Sequence, residues 1–116
     1  MYQILEGMNK TSGIIGSMVV GKDGIVIAAD LDTQFDEEAI GALAASITTN
    51  IQKSLERLNS TPLAQVTIEA ENAKMFFSDA KIGVLVVVAE PEVNIGLVRL
   101  EIRNAISKLS KQEAVS

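Results

Sequence analysis

Apolar and polar positions alternate differently along the chain, and the changes of period mark its elements. "YQILEGMN" places Ile4, Leu5 and Met8 on one side of a short helix that Gly13 ends. "IIGSMVV" is rich in β-branched residues and reads as a strand. "GKDG" follows, with Asp23-Gly24 a hairpin-turn signal, and "IVIAA" is the return strand. Ile40, Leu43, Ala44, Ile47, Ile51, Leu55 and Leu58 then recur at helical spacing. Asp36 can cap this long helix, Glu37 and Glu38 suit its first turn, and Phe35 and Ile40 have the spacing of a hydrophobic staple. It should end near Asn59, ahead of Pro62.

"AQVTIEAE" alternates strictly, with Val66 and Ile68 on one face and Gln65, Thr67 and Glu69 on the other. This predicts a strand with one lightly covered face. A tight connection leads to "KMFFSD", and Asp79 to Lys81 turn the chain into "IGVLVVV", apolar on both faces and therefore expected at the centre of the sheet. After Pro91 a final helix carries Ile95, Val98, Ile102, Ala105, Ile106 and Leu109 on one stripe. Leu97 and Leu100 lie off it, and the N-terminal helix is the expected cover. The expected fold is α+β, an α/β/α sandwich around a five-stranded antiparallel sheet in the order (α)ββαβββα, with short links implying a meander. Residues 1–116 read as a single domain, with 110–116 a polar, frayed tail.

Composition narrows the chemistry. The 116 residues contain neither cysteine nor histidine, which removes disulfides, thiolate nucleophiles, imidazole acid–base chemistry and most zinc sites. Aromatics are 3% of the chain, so aliphatic side chains must fill the core. A net charge of −5 without a dense basic cluster argues against nucleic acid. The longest apolar run, Ile82 to Ala89, is far short of the ~20 residues that span a bilayer, and the N-terminus lacks the basic and apolar regions of a secretory signal. The expectation is a cytoplasmic protein with no direct membrane insertion.

"GSMVVGKD" is one residue short of a phosphate-binding loop, G-x-x-x-x-G-K-[ST]. Its context fails on three counts: Met18, Val19 and Val20 favour a strand, Asp23 stands where a magnesium-ligating hydroxyl is needed, and a strand follows where a helix should. Asp30 with Asp32, and Glu90 with Glu92, have no nucleophile beside them and suit turns and caps. Ser12, Ser17 and Ser78 show no spacing to a lysine that would support catalysis. The four methionines are dispersed and read as core filler or terminus. No enzyme activity, metal or cofactor is expected.

The long helix has an anomaly. From Ala39 to Gln52 it carries no charge, and Gly41, Ala45, Thr48 and Gln52 form a small-residue strip at i, i+4, i+7 and i+11, with Thr49 beside it. If this strip faces outward it invites a second backbone, and if "AQVTIEAE" is a sheet edge it invites a second strand. Together they point to a two-fold dimer.

The element order and four stretches resemble the Roadblock/dynein light chain family, including its MglB-type members. The stretches are "GIIGSMVVGKDGIVIAAD", "IGALAASITTNIQKSLERL", "VTIEAENAKMFFSDAKIGVLVVVAE" and "NIGLVRLEIRNAI", of which Asn94-x-Gly96-x-x-Arg99 is the most recognisable. The resemblance implies a profilin-like/Roadblock sandwich and a homodimer. Long helices and third strands would pair across it, mapping onto Gly41, Ala45, Thr48, Thr49 and Gln52 and onto Gln65, Thr67 and Glu69. It also implies a non-enzymatic regulator or scaffold for a small Ras-like GTPase, with the paired helices as platform. The competing expectations are a pure scaffold of a motor or signalling complex and a small-molecule sensor. Arg57, near the helix end, reads as dipole complementation rather than a donated catalytic group.

Overall fold

The computed structural model describes residues 1–115. The elements are α1 (Tyr2–Met8), β1 (Ile14–Val20), β2 (Val26–Asp30), α2 (Glu37–Arg57), β3 (Gln65–Glu69), β4 (Lys74–Asp79), β5 (Val84–Ala89) and α3 (Ile95–Val115). The five strands form one antiparallel sheet. Its order is β2-β1-β5-β4-β3, which corrects the meander: β1 lies beside β5, with Met18 opposite Val86. The reason is α2. At ~1.5 Å per residue it is about 30 Å long, enough to carry the chain from one edge of the sheet to the other across roughly 19 Å of strand spacings. β5 is central and buried at every position, as its apolar run requires.

The pleat sorts side chains into two cores. Ile14, Val19, Phe76, Leu85 and Val87 pack under α1 and α3 with Leu5, Met8, Val98, Ile102, Ala105 and Leu109. Met18, Val20, Phe77, Val84 and Val86 pack on the opposite face with Ala44 of α2. Both layers are almost wholly aliphatic, with Phe76 and Phe77 back to back on β4.

The near phosphate-binding loop is a hairpin. Gly21 N–H donates to Ile25 O at 2.8 Å, Gly24 N–H to Gly21 O at 2.9 Å, and Ile25 N–H to Asp23 Oδ1 at 3.0 Å. Gly24 has φ 88, the left-handed region that the turn needs.

α1 is docked by a polar chain as well as by Leu5 and Met8. Ser17 Oγ donates to Asn9 Oδ1 at 2.8 Å, and Asn9 Nδ2 donates to Asp30 O and Oδ2, both at 2.8 Å. Tyr2 Oη donates to Asp30 Oδ1 at 3.3 Å. The Asp30 carboxylate, by charge and by that hydrogen bond, holds the exposed Tyr2 phenol above its usual pKa. A helix of seven residues reaches only so far: Leu97 and Leu100, which α1 was expected to cover, remain 37% and 49% exposed. Asn94 Oδ1 caps α3 by accepting from Leu97 N–H at 3.1 Å. α3 continues to Val115, through most of the stretch expected to fray, where Lys111, Gln112, Glu113 and Ala114 all favour helix. Ser116 of that stretch lies outside the described residues.

Candidate interaction surface

α2 begins and ends where its sequence directs. Asp36 is the N-cap, its carboxylate accepting from Ala39 N–H at 3.1 Å, with Glu37 and Glu38 in the first turn and Arg57 in the last. At the other end Asn59 takes φ 56, Ser60 N–H donates to Leu55 O at 2.9 Å and Asn59 N–H to Glu56 O at 3.1 Å. That is a Schellman ending with asparagine in the left-handed position.

The helix is rolled about its axis relative to its own apolar stripe. Its buried residues are Gly41 and Ala44. At ~100° per residue, the line through these two is turned by roughly 60° from the centre of the stripe Ile40–Leu58. The small-residue strip therefore does not lie on the outer side. Gly41 is buried against the chain's own β1–β2 turn, where a Cβ would stand 2.8 Å from Gly24 O. Ala45 flanks the same turn, half-buried, and its Cβ comes within 3.5 Å of where a Cβ on Gly24 would sit. The small residues do admit a close backbone, but it is that of the chain's own hairpin.

Thr48, Thr49 and Gln52 continue the strip along a cavity of about 460 Å³, shared with Lys22, Lys53 and Phe77. Several polar groups there are committed within the chain. Thr48 Oγ1 donates to Ala44 O at 2.7 Å, and Gln52 Oε1 accepts from Leu63 N–H at 2.8 Å. Asp79 Oδ1 accepts from Lys81 N–H at 3.0 Å. Thr49 is exposed.

The roll leaves the far flank of the stripe uncovered. Leu43 is 41% exposed and Leu58 71%, while Ile47, Ile51 and Leu55 are only half-buried. The breadth of the aliphatic stripe Ile40–Leu58 is the sequence signal for this uncovered flank. β3 is an edge strand, so one side of its backbone has no partner strand. Val66 and Ile68 point to the α2 side and are half-buried, while Gln65, Thr67 and Glu69 point to the opposite side. The α2 strip and the β3 polar residues thus lie on different faces of the sheet.

The sequence profile of the Roadblock/LC7 domain matches residues 1–89. An uncharacterized protein of Methanocaldococcus jannaschii, MJ0310, is 40% identical over 107 residues, covering 92% of this chain and 94% of that protein. MglB of Myxococcus xanthus superimposes with a TM-score of 0.92 at 20% identity, over 99% of this chain and 95% of that one. A Roadblock/LC7 domain from Streptomyces avermitilis does so at 0.90 and 18%, over 98% of each chain.

Proposed function

The chain belongs to the Roadblock/LC7 domain family, and from that premise we propose a homodimeric, non-enzymatic regulator or scaffold that binds a small Ras-like GTPase in the cytoplasm. The observation that carries the dimer is the pairing of two unfinished features on the α2 side: the β3 edge with half-covered Val66 and Ile68, and the exposed flank of α2 at Leu43 and Leu58. A two-fold axis beside β3 joins strand to strand and helix flank to helix flank, completing both. Burying the exposed part of two such leucines contributes about 2–3 kcal/mol per protomer, before the isoleucines beside them are counted.

In this reading the dimer holds the nucleotide-binding partner and biases its switch segments; the reacting groups belong to the GTPase. No helix among the described residues is long and apolar enough to cross a membrane.

Light scattering at micromolar concentration tests the dimer, and a monomer refutes it. Leu43→Glu with Leu58→Glu should dissociate the dimer while leaving the circular dichroism spectrum unchanged, because both side chains are exposed in the protomer. The GTPase is tested with a Ras-like protein encoded beside this one. Binding with altered hydrolysis supports regulation, binding with unchanged hydrolysis leaves the scaffold, and no binding to either nucleotide state refutes the partner.

A further inference from the structure

A second cavity, of about 400 Å³, opens on the α3 side of the sheet, between α3, the end of β4 and the segment leading into β3. Gln65 and Ser78 contribute to it as cross-strand partners, and Arg99 and Arg103, one turn apart on α3, form part of its wall. Ser78 is 2% exposed, and its Oγ has no hydrogen-bond partner among the described residues. Buried hydroxyls are normally satisfied, and the residue that carries this unpartnered one borders the cavity.

Arg99 and Arg103, two of the chain's three arginines, are exposed on α3 and border the cavity. In a chain of net charge −5 they form a local cationic spot over an orphan donor. Asp79 also borders the cavity and offsets one of the two positive charges. The remaining formal charge suits a monoanion better than a phosphate dianion. Pro62, Leu63, Ile102 and Ile106 supply apolar lining. The volume is at the small end for ligand sites.

We propose that this cavity binds a monocarboxylate carrying a small apolar body, its oxygens accepting from Ser78 Oγ and the Arg99–Arg103 pair and its body lying on Leu63 and Ile106. A planar carboxylate matches the guanidinium fork. The same chemistry is offered by a free organic acid and by the C-terminal carboxylate of a peptide. The site opens on the face opposite α2, although it shares Pro62, Leu63 and Asp79 with the α2-side cavity and Gln65 with the β3 edge, and its titration needs no GTPase.

The test is a titration of the full ¹⁵N-labelled chain, at constant ionic strength, with sodium hexanoate and separately with hexylammonium chloride. Hexanoate should give saturable shifts at residues 63–65, 78–79 and 99–106, with a Kd on the order of a millimolar for so small a ligand. Hexylammonium should not. Arg99→Gln with Arg103→Gln should weaken binding by about tenfold or more, and Ser78→Ala by roughly three- to tenfold. Ser78→Ala should not lower the melting temperature, since it removes only an unpartnered hydroxyl; the amide spectrum of each variant reports its fold directly. A short apolar peptide with a free C-terminus, against its amidated form, separates the two sources: tighter binding of the free-ended peptide than of hexanoate at the same amides assigns the site to a chain end, and weaker or absent binding assigns it to a free acid. Non-saturating shifts, equal shifts with hexylammonium, or an affinity unchanged in the double arginine variant overturn the proposal.

Discussion

Gly41→Ala separates two orientations of α2 by the sign of its effect. On an outward, solvated helix face the substitution stabilises by about 1 kcal/mol, because alanine has the better helix propensity. In the structure the new Cβ would stand 2.8 Å from Gly24 O, with Val26 Cγ2 at 3.5 Å and Val20 Cγ1 at 3.6 Å. The crowded atom is backbone, in a turn whose φ of 88 only glycine adopts easily, so it cannot swing aside as a side chain would. The helix must shift instead, and overpacking of this kind costs about 1–3 kcal/mol. Subtracting the propensity gain leaves a net loss of about 0–2 kcal/mol, a fall of up to roughly 8 °C in melting temperature for a chain of this size. Ala42→Gly, at the exposed neighbouring position, should lose about 1 kcal/mol and calibrates the propensity term. Both are read by urea and thermal unfolding at one fixed protein concentration, since a dimer makes the midpoint concentration-dependent. A Gly41→Ala variant that melts about 4 °C higher than the parent would refute the inward orientation.

Asp36→Ala should destabilise by about 1 kcal/mol through loss of the Ala39 N–H cap, measured as a shift in urea midpoint without change in its slope. Tyr2 is the single tyrosine, so its ionisation can be followed cleanly by ultraviolet absorbance; the midpoint should lie above 10 and move back toward 10 in Asp30→Asn. Because the folded value is raised, the contribution of this contact to stability is complete below pH 10 and is lost as pH rises through the folded pKa. Ser17→Ala leaves Asn9 Oδ1 without its buried donor and should cost about 1–2 kcal/mol, with amides of α1 losing most protection from hydrogen exchange.

Where α2 starts and stops, that β5 has two dry faces and β3 one, and where the hairpins turn all follow from short-range patterns. Asp36 and Asn59 act through atoms a few residues away, Asp23-Gly24 closes a turn on itself, and "VLVVVA" can only be central. Those signals are local, so the chain carries them in linear order, and they suffice for the α+β class and the family resemblance. Strand order is not local: nothing near β1 states that β5 will lie beside it, and that neighbour is decided by α2 carrying the chain across the sheet. The roll of α2 is not local either. Its amphipathic stripe predicts one inward line, but close packing of Gly41 on the β1–β2 turn selects another and leaves Leu43 and Leu58 in solvent. Ser78 shows the same division. In sequence it is one polar residue in a strand; only the joining of β4 to β3 and the packing of α3 above them make it a buried hydroxyl beside two arginines. The sequence by itself determined the elements, their caps and their apolar faces, because those depend on neighbours along the chain; the tertiary structure alone decided which of those faces stayed uncovered, because that depends on how separately formed elements compete for the same sheet.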